Sequence, residues 1–343
     1  MTREFQGSRI FRIAAFAAGL ALCGGMMSGR ILPVPAAWDL VPLVRSSPLI
    51  FRGVVLGFKT LPSDTFSRRV IVTIRVDRSY RGEAGQTVQL RYNEPMGFAG
   101  HDCIHLPAGT HWLFFAKSGN EPLEFVDDCF GAVSISPRLA SQLPSSGVFG
   151  QIEADLLAGL TDANRAGRLL SVQRLGGLKM VSSREALWQF IERGDPGEQA
   201  WATYALLRTG DVLALARARD LLRTGSNDAP IPYFAWELGQ FRDVKAIPDL
   251  IDIANSSPDS EARKYALASL GSLRSVEALP VIGARLADPD GSVRFSAREA
   301  MRAITGNAAC ALPPGHSVEM EEPQVVQCLE WWNAEGKRAF KQR

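Results

Sequence analysis

The stretch LGQFRDVKAIPDL at residues 238–250 decides the fold of the C-terminal half, because it returns thirty-two residues later as LGSLRSVEALPVI at residues 270–282. The segment that follows each copy is repeated too, so that residues 258–266 correspond to 289–297. Upstream, Gly176 and Gly210 extend the spacing, and from about residue 150 the apolar residues recur with a helical period. Self-similarity at this period is typical of repeat proteins. The sequence therefore predicts a stack of helix pairs, an α-solenoid.

These units resemble HEAT repeats of the short type first associated with phycobiliprotein lyases, in which each unit is a pair of antiparallel helices. The resemblance implies that Pro248 and Pro280 sit inside the first helix of a unit, where that family tolerates a kink. It also implies that Ala266 and Ala297 are small because a neighbouring helix approaches closely. No catalytic residue comes with the repeat, so a lyase activity does not follow.

Charged residues recur within the repeat as well. Asp259 and Asp290 stand where a side chain can cap the second helix of a unit. Arg263 and Arg294 are expected to lean toward the connecting turns and to reach acids of a neighbouring unit such as Asp243, Asp259 or Asp290. The alternative is that these arginines are solvated on a helix face, where an ion pair adds only about 0–1 kcal/mol.

Residues 38–147 have the pattern of an all-β domain. The stretch 69–77 alternates apolar with wetter residues, which is the period of a strand with one buried face. Similar runs, separated by Gly, Pro and Asn, occur at Leu49–Phe58, Thr87–Tyr92, His111–Ala116 and Leu123–Val126. Five short strands in about 100 residues predict a small β-barrel.

The residues of this region resemble the bacterial netrin-like or TIMP-like domain, an OB-fold barrel. The resemblance rests on LIFRGVV at 49–55, on the strand from Val70 that ends in Tyr80-Arg81-Gly82, on LPAGTHWLFF at 106–115 after Cys103, and on Cys129-Phe130-Gly131. Animal TIMP inhibitors chelate the zinc of a protease through a cysteine at the mature amino terminus. Since no cysteine lies between Arg30 and Asp102, that mechanism is disfavoured, although protease inhibition through the barrel stays an alternative.

The first 37 residues have the order of an export signal. Three arginines precede an uncharged apolar run, residues 13–27, and the small-residue stretch 34–37 follows it. Fifteen helical residues span about 22 Å, less than the hydrocarbon core of a bilayer. We therefore expect a cleaved signal peptide and a periplasmic or secreted protein. The stretch LALCG around Cys23 resembles a lipoprotein signal, but Leu22 stands where that family has Gly, Ala or Ser, so lipidation is the less favoured alternative.

Four further cysteines form two local pairs separated by a long cysteine-free stretch. In an oxidising compartment they are expected to form the disulfides Cys103–Cys129 and Cys310–Cys328. Free buried thiols are the alternative.

The strongest chemical cluster is His101, Asp102, Cys103, His105 and His111, since imidazoles beside a carboxylate are common ligands of zinc and copper. Its spacing matches no recognised metal motif, and a cysteine in a disulfide cannot be a ligand. Histidines that only pack on a strand or face solvent are the simpler interpretation, and a metal site on His101, His105 and His111 is the alternative.

The C-terminal segment 307–343 ends in a helix that carries Cys328, Trp331 and Trp332. A solenoid needs its last apolar face covered, and a tryptophan-bearing helix tied back by a disulfide would serve as that cap. Alternatively, Trp331 and Trp332 form an exposed aromatic patch that binds a partner.

Composition limits the possible functions. With 343 residues the chain is long enough for two domains, and 38 basic against 36 acidic residues leave no concentrated positive charge, so nucleic acid is not expected as a partner. No phosphate-binding loop, catalytic triad motif or Cys/His zinc spacing is present, and no cofactor is implied.

By elimination we expect a multidomain β + α protein without catalytic activity. Its parts would be a signal peptide at 1–37, an OB-like barrel at 38–147, a HEAT-like solenoid at 148–306 and a disulfide-tied cap at 307–343. The function expected for it is an exported scaffold that binds another protein, with membrane contact only through the signal or a lipidated Cys23. A metal-binding protein or metalloenzyme using the histidine cluster is the alternative.

The export interpretation predicts a specific mass. Protein isolated from its native host should lack roughly the first 36 residues, because signal peptidase cuts after the small-residue stretch. Intact-mass spectrometry measures this directly, and a full-length product in the cytoplasmic fraction would contradict export.

Overall fold

The computed structural model describes most of the chain, namely residues 39–62, 67–95, 104–127, 130–145, 147–224, 230–312 and 321–340. The signal segment with Cys23, the histidine and acid at positions 101 and 102, and the pair Cys103 and Cys129 lie outside these residues. The expectations for them stay predictions.

A single sheet follows a short helix, α1 (Leu40–Ser46), at the start of the described chain. Its strands are β1 (Leu49–Thr60), β2 (Ser67–Arg81), β3 (Thr87–Pro95), β4 (His111–Ala116), β5 (Leu123–Glu124) and β6 (Ala132–Ser134). All five strands predicted from alternation are present. The sixth, β6, was missed because three residues are too few to display a period.

The sheet curls on itself to form half a barrel. Its order is β5-β3-β2-β1-β4-β6, in which β3 and β5 pair in parallel and the other neighbours are antiparallel. A bridge between Ala116 and Phe125 links β4 with the chain just beyond β5, so the curl nearly closes. Inside it, Phe114 stacks on Phe51 and Phe125, with ring centroids 5.1 and 6.4 Å apart.

The outer face of β1, β4 and β6 is not exposed to solvent but packs on helices. Ile50, Leu113 and Phe115 on this face belong to the same apolar core as the first helices of the C-terminal half, including Ile152 and Leu156. Because these residues form one hydrophobic core, the sheet and the first helices pack directly against each other and are not independent domains joined by a linker.

The remainder of the described chain is helical. The helices are α2 (Gly147–Gly159), α3 (Arg165–Leu178), α4 (Arg184–Arg193), α5 (Pro196–Arg208), α6 (Ala214–Thr224), α7 (Ile231–Gln240), α8 (Ile247–Ser256), α9 (Ser260–Ser272), α10 (Leu279–Arg285), α11 (Gly291–Thr305), α12 (Glu321–Trp331) and, after a π-helical turn at Trp332–Gly336, α13 (Lys337–Ala339). None of the described helices combines the length and hydropathy needed to span a bilayer.

Two rows of helices build the solenoid. The inner row consists of α3, α5, α7, α9 and α11, and the outer row of α4, α6, α8 and α10. Neighbours in the inner row approach closely at small residues: a Cβ added to Gly176 would lie 3.0 Å from the Cα of Ala205, and one added to Gly271 would lie 2.8 Å from the Cα of Ala300. The inner neighbours α3–α5, α7–α9 and α9–α11 are packed more closely than the outer neighbours.

Gly210 does not continue the series of packing glycines, as the sequence had led us to expect. It lies in the turn between two helices with φ +81°, and the residues at the same place in the other units are Lys179, Arg242 and Arg274, with φ of 58°, 52° and 52°. The position that corresponds to the packing glycines is occupied in this unit by Leu207. The predicted register was wrong because Gly176 and Gly210 occupy two different positions of the repeat, a packing position and a turn position, which lie three residues apart within each unit.

The two prolines of the repeat also differ from expectation. Pro248 and Pro280 occupy the first turn of α8 and α10, each preceded by a 3₁₀ turn, rather than the interior of a helix. In the first turn the missing N–H has no intrahelical acceptor, so proline starts the helix without a kink.

The predicted caps are confirmed. Asp259 accepts a hydrogen bond from the backbone N of Glu261 at 2.9 Å, and Asp290 accepts one from the backbone N of Ser292 at 2.8 Å. Each cap satisfies an otherwise unpaired donor at a helix start.

Arginines connect successive units, but to other acids than we had expected. Arg263 is buried and bidentate to Asp288, with Nε–Oδ2 at 3.0 Å and Nη2–Oδ1 at 2.9 Å. Arg294 reaches Glu322 of α12 at 2.9 Å. Arg168, four residues after the cap of α3, binds Glu198 in the same way at 2.7 Å. The partner is in each case an acid of the following unit.

The turn carbonyls complete this arginine arrangement. Nη1 of Arg263 donates to the carbonyls of Ser257 and Pro258, and Nη1 of Arg294 donates to those of Asp288 and Pro289. Each arginine thus donates hydrogen bonds both to the carbonyls of the turn before its own helix and to a carboxylate that follows in the stack.

A buried polar junction joins the sheet to the first solenoid helix. Asp155 of α2 accepts hydrogen bonds from Tyr80 Oη at 2.5 Å, from Arg78 Nη1 at 2.5 Å and from the backbone N of Ala140 at 2.7 Å. Arg52 of β1, with 1% of its surface exposed, lies 3.7 Å from the same carboxylate. Its other nitrogen donates to the carbonyl of Ser136 at 3.0 Å.

The far end of the stack is closed by the C-terminal segment. The sulfurs of Cys310 and Cys328 are 1.93 Å apart, at bonding distance, and both residues are buried. Trp332, only 3% exposed, packs its indole against Gly283 of α10, where a Cβ would lie 1.9 Å from Nε1.

The burial of the repeat alanines leads to a stability prediction. Ala266 and Ala297 are both 0% exposed, as expected, although the closest helix approach lies about one turn away at Ser269 and Ala300. Ala297→Leu should overpack the stack and lower the free energy of unfolding by about 1–3 kcal/mol. The matched control is Ala284→Leu, the same change at an exposed position of α10. If both variants unfold in denaturant like the wild type, the repeat register is wrong.

Candidate functional site

The histidines singled out in the sequence are not assembled into a site by the part of the chain that the structure describes. His105 is exposed, with Nδ1 3.4 Å from Glu94 Oε1, and His111 at the start of β4 has Nδ1 3.3 Å from Asp77 Oδ2. Among the described residues, no group of three or more His, Cys, Asp or Glu could hold a metal ion. Since His101 lies outside them, the metal hypothesis stays untested.

The two C-terminal tryptophans lie in the cap. Trp332 is buried against α10, and Trp331 is half-buried with its ring centroid 6.3 Å from that of Trp332. Trp332 also lines a cleft of about 820 Å³ together with Leu273, Pro280 and Phe340. The packing agrees with the cap interpretation, and binding of a partner by the two tryptophans stays a prediction.

A different aromatic cluster occupies the inner face of the solenoid. It comprises Trp201 and Tyr204 of α5, Tyr233 and Trp236 of α7, and Tyr265 of α9, and we call it the inner aromatic row. The pairs in α5 and α7 are three residues apart, so both members project from the same side of their helix. The row therefore crosses three successive helices of the inner row.

The rings form an unbroken series of contacts. The ring centroids are 6.0 Å apart for Trp201 and Tyr204, 6.3 Å for Trp201 and Tyr233, 5.6 Å for Tyr204 and Tyr233, 6.3 Å for Tyr233 and Tyr265, and 6.0 Å for Trp236 and Tyr265. Two of these pairs are edge-on, which suits the charge distribution of aromatic rings. Tyr204 and Tyr265 are buried, whereas Trp201, Tyr233 and Trp236 remain partly exposed.

The row is located where the regular packing of the inner helices is interrupted. Between α5 and α7 the packing glycine is replaced by Leu207, and the small residue that should face it is replaced by Glu237. The two helices therefore pack more loosely than the other inner neighbours. Aromatic rings fill the wider step, since small side chains could not reach across it.

A buried polar group stands beside the rings in this step. Arg208 Nη1 donates to Tyr204 Oη at 3.1 Å, and its Nε lies 3.7 Å from Glu237 Oε1. Burial raises the pKa of Glu237, and the charge of Arg208 opposes that rise. Burial also raises the pKa of Tyr204. The step is thus held by one charged pair and a neutral phenol.

The remaining tyrosines are neutral as well. Burial, together with the nearby carboxylates of Glu261 and Asp259, raises the pKa of Tyr233 to about 12. Burial and the carboxylate of Glu261 raise the pKa of Tyr265. Lys264 Nζ lies 4.5 Å from the centroid of the Tyr265 ring. A partner therefore meets neutral, polar-tipped rings with apolar faces, a surface suited to binding rather than to acid–base chemistry.

The inner aromatic row was not predicted, although its spacing is visible in the sequence. Trp201, Tyr233 and Tyr265 are spaced by thirty-two residues, the repeat period. An alignment of the repeats over their whole length, and not only over the best-matching stretch, shows three aromatic residues at the same repeat position. The sequence could not show that they touch.

Comparison with known proteins supports the solenoid. Residues 233–302 match the model of the family described as HEAT repeats. The helical half of the chain is a solenoid that contains a stretch similar to HEAT repeats. The match covers two adjacent units and does not extend to the phycobiliprotein-lyase subtype or to the barrel, and no curated protein matches the chain.

Among solved structures, a designed armadillo repeat protein in complex with the peptide (KR)4 is similar, with 14% sequence identity over 55% of this chain and 94% of that one. Its TM-score of 0.36 is too low to carry an argument about binding.

The charged pair in the wider step yields a double-mutant prediction. Arg208→Met should lower the free energy of unfolding by about 3 kcal/mol, because it removes the cation that lies 3.7 Å from the buried Glu237 carboxylate and leaves only the weaker influence of Lys179. The double variant Arg208→Met, Glu237→Leu should recover most of that loss, since an apolar pair can replace a buried ion pair. Urea denaturation measures all three proteins. If the single and double variants lose the same amount, the two side chains are not coupled.

Proposed function

We propose that the protein is an exported, non-catalytic scaffold that binds another protein along the inner aromatic row. The observation that carries this proposal is the continuous set of ring contacts across three adjacent inner helices, in which Trp201, Tyr233 and Trp236 on α5 and α7 are partly exposed. Tryptophan and tyrosine are enriched among the residues that dominate binding energy at protein interfaces. A row of them along successive helices of a solenoid is a binding surface of the kind that repeat proteins use.

The row is ordered before any partner arrives. Trp201, Tyr233 and Trp236 are each in contact with a buried tyrosine, so binding need not fix their conformations. Lost side-chain freedom is one of the main costs of association. Rings already held in place avoid that cost and can contribute most of their contact area to affinity.

The barrel has a supporting role in this proposal. The parallel β3–β5 pair and the bridge beyond β5 favour an OB-like, partly open barrel. Through Asp155 it is fixed to α2 at the first end of the solenoid, and it covers helix surface that would otherwise be exposed. The export part of the proposal depends on the basic, apolar and small-residue order of residues 1–37.

Affinity capture with matched variants tests the proposal. Tagged wild-type protein and the variant Trp201→Ala, Trp236→Ala are incubated with the periplasmic and secreted fractions of the native host, and bound proteins are quantified by mass spectrometry. A true partner should fall about tenfold or more with the double variant, because each buried aromatic anchor typically contributes more than about 1.4 kcal/mol.

The control variant is Val212→Ala, Leu213→Ala, which truncates two apolar residues that are 60% and 74% exposed at an outer turn. It should leave the recovery of the partner unchanged. Circular dichroism checks that both variants are folded. If no protein depends on the tryptophans, or if the control variant loses the same proteins, the inner aromatic row is not the binding surface.

A further inference from the structure

A cleft separate from the inner aromatic row lies at the C-terminal ends of α7, α9 and α11. It has a volume of about 460 Å³, and its lining residues, which we call the basic cleft, are Gly239, Gln240, Arg242, Gly271, Ser272, Arg274 and Ala303. Two arginines face it, and no carboxylate is among its lining residues. The charged residues that line the cleft are therefore both positive, although the whole chain is close to neutral and Glu277 lies in an adjoining cleft that Arg274 also lines.

The two arginines of the cleft have no intramolecular role that the described residues reveal. Arg208, Arg263 and Arg294 each pair with an acid. In contrast, the guanidinium groups of Arg242 and Arg274 make no hydrogen bond or ion pair with any residue in the described ranges, and both residues are exposed. Their donors are available to a ligand.

The backbone at these positions favours glycine rather than arginine. Arg242 and Arg274 both have φ of 52°, in the left-handed region, where a side chain is strained. Gly210 fills the equivalent place in the preceding unit without that strain. The fold therefore accepts glycine here, and arginine is present at some expense of stability. Strain that the fold does not need is an indication of a functional role.

Neutral groups in the cleft complement the arginines. Gln240 and Ser272 occupy equivalent positions on α7 and α9 and are exposed. The amide of Gln240 can donate hydrogen bonds to a ligand, whereas the hydroxyl of Ser272 already donates to the carbonyl of Ala268 at 3.0 Å and can only accept. Gly239 and Gly271 are the buried packing glycines of α7 and α9, and their missing side chains make room for the neighbouring helix. Two consecutive units thus each present one arginine and one polar side chain to the cleft.

The spacing of the two units suggests the form of the ligand. Neighbouring packed helices lie about 8–10 Å apart. An extended polyproline-II chain advances about 3.1 Å per residue with three residues per turn, so side chains three residues apart point the same way at about 9.3 Å. Carboxylates at this interval would each meet one arginine.

We infer that the basic cleft binds an acidic, extended protein segment with carboxylates three residues apart. The inference rests on the proposed function in taking the ligand to be a protein, but it uses a surface separate from the inner aromatic row. Each guanidinium can bind one carboxylate with two parallel hydrogen bonds. Phosphate of a nucleic acid has related chemistry and is kept as an outcome of the test.

Fluorescence anisotropy with a defined probe tests the inference. The probe is a fluorescein-labelled peptide (Glu-Pro-Pro)4, and the comparison ligands are (Lys-Pro-Pro)4 and a single-stranded DNA oligonucleotide of equal charge, all titrated with the full chain. The acidic peptide should bind, more weakly as salt is raised from about 50 to 200 mM, and the basic peptide should not. Equal binding of both peptides, or tighter binding of DNA than of the acidic peptide, would overturn the inference.

Two charge-matched variants locate the site. Arg242→Gly, Arg274→Gly should weaken binding of (Glu-Pro-Pro)4 about tenfold or more, while its melting temperature stays equal to or above that of the wild type, because the turn conformation suits glycine. Arg193→Gln, Lys59→Gln removes two positive charges at exposed positions of α4 and β1, away from the cleft, and should change affinity less than about twofold. If the glycine variant binds like the wild type, or if both variants weaken binding equally, the cleft is not the site.

The Trp201→Ala, Trp236→Ala variant separates the two proposals. It should bind (Glu-Pro-Pro)4 like the wild type, because the basic cleft is intact. Loss of a partner protein by this variant, together with no peptide binding by the wild type, would reject the acidic-segment inference and retain the proposed function. Peptide binding without any tryptophan-dependent partner would do the reverse.

Discussion

The buried carboxylate of Asp155 is the interaction on which the arrangement of the two halves depends. It receives hydrogen bonds from Tyr80, Arg78 and the backbone of Ala140, and it lies beside the buried guanidinium of Arg52. A charge in such a place is tolerated only when its partners are held in good geometry. Because strands β1 and β2, the connecting segment and α2 all contribute to it, the sheet cannot turn relative to the first helices without leaving charges buried and unpaired.

This junction determines how the solenoid begins, and the C-terminal cap determines how it ends. A stack of helix pairs exposes apolar surface at each end, and repeat proteins need those ends covered. Here the outer face of the sheet covers the first helices, and Trp332, held near α10 by the segment that contains Cys310 and Cys328, covers the last. The inner helices are consequently held at both ends, which keeps their exposed side chains in a defined register.

Both surfaces proposed for binding arise where the repeat departs from its own rule. The aromatic row fills the step in which Leu207 and Glu237 replace the usual small contact. The basic cleft contains arginines at a left-handed position that favours glycine and is occupied by Gly210 in one unit. Local conflict with an otherwise consistent pattern is expected at functional positions, since stability there is exchanged for an accessible surface. The regular parts of the repeat, including the aspartate caps and the Arg263–Asp288 pair, are explained by structure alone.

The sequence by itself determined the features that depend on nearby residues. Period two predicted five strands, the thirty-two-residue repeat predicted the helix pairs, and the caps at Asp259 and Asp290 followed from single positions, because strand alternation and helix starts are local. Only the tertiary structure decided which acid each arginine pairs with and that five aromatic residues are in contact. It also decided which glycines lie at a helix–helix contact and which one lies in a turn. Those outcomes depend on how closely helices far apart in the chain approach one another, and that distance is set by the combined size of side chains from both helices.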